Sequence, residues 1–377
     1  MGLKSWRAAR RRRKEEALER PRYGWIWKPL VALLGLYLLV SVALGIWWSQ
    51  PPTAFDVEQA TLERRGEAAY APGARGTVSV ATLAESVATL LGKPGGYLRN
   101  DIAPPGVWLD NMPSWELGVL EESRRLALAL PQMAGGDSAA LAEAREALLG
   151  DDRDWLHPST ERRLEEAVAA LERKLATLDD PEAGFPPGAG LGEWLAAVAE
   201  GLDGLALRLA ASVGGHEALT ELAVDTASLP PPTPWYRVDD IFFEARGSGW
   251  ALAQLLEGVQ RDQADVLETA GARGEWERLL AELEMTQRRL WSPVVLNGSG
   301  FGLFANHSLV MALHMTRARD LAAALAERLA EPPAALAAPA ETLPDEAEPV
   351  EPPVVEVERP DEPVDEPPPE ALAAPEA

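Results

Sequence analysis

The sequence contains no cysteine and only four histidines among its 377 residues. The lack of cysteine excludes a disulfide framework, thiolate zinc sites, thiol nucleophiles and cysteine-ligated iron–sulfur clusters. The histidines are scattered and lie in neither a serine-hydrolase arrangement nor an H-E-x-x-H zinc helix. The sequence therefore predicts no catalytic residue, no metal and no cofactor, and we expect a protein that is not an enzyme.

Positive charge is scarce and unevenly placed. The chain has 35 Lys and Arg against 59 Asp and Glu, a formal net charge of −24. Residues 1–28 carry ten Lys or Arg against three Glu, whereas residues 331–377 carry fourteen acids against one Arg. An acidic body repels a polyanion, so we expect no nucleic-acid partner. The Arg-rich start is typical of a segment that fixes membrane orientation and attracts anionic lipid, with a nucleic-acid arm as the alternative.

One long apolar run is present, at residues 29–48, and it has no charged side chain. Twenty residues at 1.5 Å each span roughly the 30 Å hydrocarbon core, which predicts a transmembrane helix with the lipid bilayer as partner. The cations precede the run, so the amino terminus is expected in the cytoplasm. A cleaved signal peptide is the alternative, although Trp47 and Trp48 lie where a small-residue cleavage site would be needed.

Composition divides the rest of the chain. Residues 49–76 are polar and predict a connector, while residues 77–330 form a body whose apolar residues recur at helical spacing. Thirteen of the last 47 residues are proline amid excess carboxylate, so 331–377 is predicted to be a disordered acidic tail. A Pro-rich stretch at 214–239 is a candidate subdomain border within the body.

The body is predicted to be all-α and similar to a helical bundle. Strand signals are few, the best being 294–296. Predicted helices cover 80–91, 117–130, 139–149, 241–270, 275–290 and 303–330. Two segments, 164–178 and 198–212, have apolar residues at alternating steps of four and three, which predicts an antiparallel hairpin.

A ligand site is predicted within residues 95–116, where prolines prevent a continuous helix. Aromatic rings cover the apolar faces of sugars while amides and carboxylates bind hydroxyls, so this composition fits a glycan. The other interpretation is a rigid loop with buried tryptophans and a helix cap. The candidate ligand-binding residues are Trp108, Asp110, Asn111, Trp115 and Glu116.

Three further groups have a simple structural interpretation beside a chemical one. Asp239, Asp240 and Glu244 could bind a hard cation, but acidic residues also favour the first turn of a helix. The glycine-rich 297–302 resembles a phosphate cradle, yet it lacks the P-loop continuation. A soft metal site is weighed against a packed helix seam for a third group. Its members are His307, Met311, His314 and Met315.

Three motifs resemble a bacterial family of inner-membrane proteins, domain of unknown function 2333. They are GYLRNDIAPPGVWLDNMPSWELGVL at 96–120, RVDDIFFEARGSGWALAQLLEGVQRD at 237–262 and WSPVVLNGSGFGLFANHSL at 291–309. The resemblance covers about residues 20–330. It implies a bacterial envelope location and brings no activity, catalytic residue or cofactor.

Together these features predict a single-pass protein of the bacterial inner membrane, with its bulk in the periplasm. The expected function is a non-enzymatic adaptor or scaffold of the cell envelope that binds an envelope protein not identifiable from sequence. The alternative partner is a second copy of this chain, bound through the apolar stripes of 164–178 and 198–212, which we call seams. The alternative function is a cell-wall glycan-binding protein or hydrolase that uses residues 95–116.

Overall fold

The computed structural model describes residues 6, 8–13, 24–66, 73–213, 230–292, 294–298 and 304–330. Within these residues the regular structure is helical, without a β-strand, which confirms the all-α prediction. An isolated antiparallel bridge joins Asn297 to Asn306, next to the predicted strand. The α-helices from residue 24 onward are α1 Gly24–Trp48, α2 Val57–Arg65, α3 Thr77–Gly92, α4 Asn111–Met133, α5 Ala139–Leu148, α6 Thr160–Thr177, α7 Leu191–Ser212, α8 Val238–Asp262, α9 Ala264–Thr269, α10 Arg273–Thr286 and α11 His307–Arg328.

Helix α1 contains the predicted membrane segment. Its apolar part, Trp27–Trp48, has 22 residues. At 1.5 Å per residue this part is about 33 Å long, which exceeds the hydrocarbon core of a bilayer. Most of its side chains have no protein neighbour and are exposed. Helix α1 is therefore long and apolar enough to cross a membrane.

The segment predicted to be a connector contains α2. Asp56 begins this helix by accepting hydrogen bonds from the backbone N–H groups of Glu58 and Gln59, both at 2.9 Å. Arg64 then pairs with Glu85 of α3 and Glu172 of α6. Helix α2 is therefore bound to the body by ion pairs. Its sequence is mostly polar and has no regular apolar stripe that would predict this contact.

Helix α8 lies at the centre of the body and packs against α3, α4, α7, α10 and α11. Helix α8 approaches its neighbours most closely at three glycines, where a Cβ atom would overlap the neighbouring helix. Gly247 faces the backbone of Trp115, Gly249 faces Thr286 and Gly258 faces Thr82. These glycines, all within the motif at 237–262, thus allow α8 to contact α3, α4 and α10 at short range.

The predicted hairpin of 164–178 with 198–212 is wrong. Helix α6 packs against α5 and α3, while α7 packs chiefly against α11. Helices α7 and α11 run antiparallel, since Gly192 lies against Ala330 and Asp203 pairs with Arg319 at 2.7 Å. Each seam correctly marks a buried face, but the burying helix comes from elsewhere in the chain.

Several helix boundaries also differ from the prediction. Helix α4 begins at Asn111 and continues past Pro131, whereas the predicted helix 241–270 divides at Gln263 into α8 and α9. The Gln263 side chain accepts a hydrogen bond from the Gly188 N–H at 3.1 Å, which holds the division against another loop. Most of the basic segment 1–28, most of the candidate border 214–239 and the whole tail 331–377 lie outside the described residues.

Candidate functional site

The predicted ligand segment is organised by a buried ion pair. The Lys93 ammonium lies 2.6 Å from a Glu116 carboxylate oxygen, and neither side chain is exposed to solvent. Lys93 also donates to the Gly96 carbonyl at 2.6 Å. The Glu116 carboxylate accepts hydrogen bonds from the backbone N–H groups of Leu98 and Arg99. The end of α3, the loop after it and α4 are thereby joined at one point.

Burial raises the pKa of Glu116 to about 7. The Lys93 charge and the hydrogen bonds from Leu98 and Arg99 act in the opposite direction. A carboxyl with such a pKa is suited to proton transfer only if it reaches a substrate. Glu116 is enclosed on all sides, so its arrangement is that of a group which positions a loop.

The loop that Glu116 holds is in turn bonded to the segment before α6. The Tyr97 hydroxyl donates to the Asp152 carbonyl at 2.9 Å, and Arg99 pairs with the Asp152 carboxylate at 2.5 Å. The Asn100 amide donates to the Asp154 carbonyl and to Glu161, both at 2.8 Å. The polar residues of the first motif therefore connect two loops of this protein.

The five predicted ligand-binding residues are divided between interior and surface. Trp115 is buried against Trp250, with ring centroids 5.2 Å apart, and Glu116 is enclosed as described. Asp110 accepts the Asn111 N–H at 2.9 Å at the start of α4, where Asn111 itself is half-buried. Trp108 is exposed. The structure does not bring these five side chains together in one open cleft.

The acidic group at the start of α8 is also divided. Glu244 forms two hydrogen bonds with Arg208 of α7, at 2.7 and 2.6 Å. Asp239 and Asp240 remain in the first turn of α8, and burial raises the pKa of both. Glu244 thus fastens α8 to α7 and does not face the two aspartates as a third ligand.

The histidine and methionine group of α11 is part of the packing. Met311 and Met315 are buried, His307 Nδ1 accepts the Leu296 N–H at 2.9 Å, and His314 Nδ1 lies 2.7 Å from Glu282. Each histidine ring has its own partner on a different element. Of the glycine-rich segment 297–302, residues 299–302 lie outside the described residues.

A feature that the sequence interpretation missed is an open groove between α7 and α11. Its volume is about 640 Å³. Ala206 and Ala312 at its bottom are buried, while Leu309 and Leu313 stand beside it about half exposed. We call it the α7–α11 groove. The signal was present in the sequence, since Leu309, Val310 and Leu313 are apolar yet lie outside the seam of α11.

An apolar cavity of about 440 Å³ adjoins this groove. It lies between α8, the end of α10 and the start of α11, and Val310 borders both hollows. Trp291 lines this cavity, Phe304 directly precedes the lining residue Ala305, and both aromatic side chains are strongly exposed. Val310 therefore joins the groove and the cavity into one continuous apolar surface.

Among the described residues, one helix long enough and apolar enough to cross a membrane precedes an all-helical body, and this arrangement defines the class of the protein. A family model described as "Uncharacterized protein conserved in bacteria (DUF2333)" matches residues 21–331. This match covers most of the chain, including α1 and the complete described body, so the protein belongs to that family. The resemblance seen in the three motifs is thereby confirmed. Neither the curated proteins nor the solved structures contain a match.

Proposed function

We propose that this protein is a non-enzymatic adaptor or scaffold of the bacterial cell envelope, anchored in the inner membrane by α1. In this proposal the amino terminus is cytoplasmic and the body is periplasmic. The ten cations of residues 1–28 support that orientation, because the positive flank of a span stays in the cytoplasm and residues 50–57 contain no cation.

The observation that carries the proposal is the α7–α11 groove. Two antiparallel helices with small residues between them leave a channel parallel to their axes. Leucines that stand half exposed at its edge can enclose a side chain from outside. An amphipathic helix fits such a channel, since its apolar residues at i, i+3, i+4 and i+7 form a single ridge.

We infer that the occupant is an amphipathic helix of another envelope protein. Asp203 and Arg319, which pair at 2.7 Å, also line the groove and keep both carboxylate and guanidinium partly accessible. They supply polar contacts of both signs beside the apolar channel, which helps to fix the direction of a bound helix. A second copy of this chain is the competing occupant.

The proposal is tested by photocrosslinking in intact cells. A photoreactive amino acid at Leu313 is expected to capture one defined envelope protein, through the apolar face of a helix identified by mass spectrometry. Leu128 of α4 is equally exposed and gives the matched control position. A synthetic peptide of the captured helix then binds the full chain, and Leu309→Asp weakens that binding by about 30-fold or more.

Leu309→Asp is expected to leave stability almost unchanged, within about 0.5 kcal/mol, because the side chain is already half exposed. Crosslinks between two copies of this chain would replace the adaptor by a homo-oligomer. Capture no greater at Leu313 than at Leu128 would remove the docking function from this groove.

The alternative function, a glycan-binding protein or hydrolase, has weaker support. A glycosidase needs two carboxyl groups facing one glycosidic bond. Glu116 is bonded to Lys93 inside the body, and Trp115 packs on Trp250. Of the proposed residues, Trp108 and Asp110 remain accessible to a glycan.

A further inference from the structure

The last turns of α1 are covered on one side by the body. Ser41 is only 3% exposed, although most of α1 has no protein neighbour. Gly45 is also buried, and a Cβ there would lie 3.7 Å from Leu109 and 3.8 Å from Pro105. Ser41, Gly45 and Trp48 follow at steps of four and three, so they lie on one face.

This contact fixes the level of the body relative to the apolar helix. The membrane-length part of α1 ends at Trp48, and Gly45 lies about 4.5 Å before that end. The covered face extends back to Ser41, about 10 Å from Trp48. The segment of the body that touches Gly45 is therefore level with the outer end of the span.

That segment presents apolar side chains to the outside. Residues 102–109 contain no charged side chain. Ile102 is 61% exposed, Val107 49% and Trp108 54%. Large apolar groups at the end of a span, tryptophan above all, are most stable at the boundary between headgroups and acyl chains.

A second loop adds to the same surface. The Asn100 amide holds the Asp154 carbonyl at 2.8 Å, which keeps residues 154–158 next to the first loop. Directly after Asp154, Trp155 and Leu156 are both more than half exposed. The second loop thus adds two bulky exposed side chains next to Asn100, two residues before Ile102.

We propose that Ile102, Val107, Trp108, Trp155 and Leu156 insert into the interface of the bilayer that α1 spans. They form a second membrane contact, which we call the interfacial surface. It holds the body directly on the membrane in one orientation, whereas a body joined only by a connector would rotate freely. This proposal uses none of the residues of the α7–α11 groove.

Carboxylates set the limit of the insertion. Asp101 and Asp110 border the first turn on either side, and Asp154 precedes the second. Charged groups are costly in hydrocarbon, so the apolar residues between them can enter only to the depth of an interfacial segment, about 5–10 Å.

Spin labels test the proposal in the full chain, because the absence of cysteine makes each introduced thiol unique. Nitroxides are attached at Val107→Cys and Leu156→Cys, with one chain in each nanodisc of phosphatidylethanolamine and phosphatidylglycerol. Leu38→Cys in α1 is the lipid reference. Leu128→Cys is the water reference, since Leu128 is as exposed as Val107 but lies about 25 Å along α4.

We expect labels 107 and 156 to be relaxed strongly by oxygen and weakly by a water-soluble nickel chelate, as at an interface. The proposal is overturned if either label behaves like label 128, or is shielded from both agents as in a protein interior. It is also overturned if label 38 lies outside the lipid. A failed groove with an inserted interfacial surface leaves this inference intact. Label 38 in lipid with labels 107 and 156 in water overturns this inference while the anchor of the proposed function stands.

Discussion

Lys93→Met is expected to lower the free energy of unfolding by about 3–5 kcal/mol above about pH 8, where Glu116 is ionised. The methionine fills a similar volume, but the Glu116 carboxylate remains inside the body without its counter-charge. Removing the carboxylate from water costs free energy, and in the natural protein the nearby ammonium offsets that cost. Without the ammonium the cost is no longer offset, so the folded state loses more than the attraction of one ion pair. Thermal and urea unfolding of the full chain in detergent, followed by far-UV circular dichroism, measures the loss.

The cost of Lys93→Met is expected to depend on pH in one direction. Burial already raises the pKa of Glu116 to about 7, and loss of the lysine charge raises it further. Between the unfolded value of 4.5 and this raised value, the folded protein retains a proton that the unfolded chain has lost. Stability therefore falls as pH rises, and the deficit relative to the natural protein is small at about pH 5 and largest above about pH 8.

Glu116→Gln is the matched control for that dependence. It keeps the shape of the side chain, yet it leaves the Lys93 ammonium enclosed and weakens the hydrogen bonds that hold Leu98 and Arg99. Lowering the pH cannot neutralise an ammonium, so this variant does not recover at about pH 5. Equal recovery of both variants in acid would contradict the assignment of a buried ion pair.

The sequence predicts buried faces better than it predicts their partners. The seams of 164–178 and 198–212 are buried as expected. The spacing of apolar residues predicts which face of a helix is buried, but it does not predict which distant helix packs against that face. Neighbours in sequence form a hairpin only when the loop between them directs both seams to each other. Here Gly192 meets Ala330 instead, so α7 packs along α11.

The candidate site shows the same limit for polar residues. Trp115 and Glu116 have residue types that fit a glycan site and equally fit a rigid loop with buried aromatic rings. Lys93 decides between the glycan site and the rigid loop, because it pairs with Glu116 inside the body. It lies at the end of another helix and belongs to none of the three motifs. By contrast, α1 was predictable because its environment requires a charge-free run of fixed length, a property of the chain alone.

Gly118→Ala and Gly247→Ala are each expected to destabilise the body by about 1–3 kcal/mol. A Cβ at Gly118 would overlap the backbone of Glu244 and Ser248, and one at Gly247 would overlap the carbonyl of Trp115. Backbone atoms cannot rotate away as the end of a side chain can, so α4 and α8 must separate. That separation also loosens the packing of Trp115 on Trp250, which tryptophan fluorescence reports.

Gly204→Ala is the matched control, because Gly204 lies within α7 with no atom near its missing Cβ. Alanine there reduces the backbone freedom of the unfolded chain and favours the helix, so this variant is expected to gain about 0.5–1 kcal/mol. The same substitution thus changes stability in opposite directions at two helical sites. Stabilisation at Gly118 equal to that at Gly204 would mean that α4 and α8 are not in close contact, and the central position of α8 would have to be abandoned.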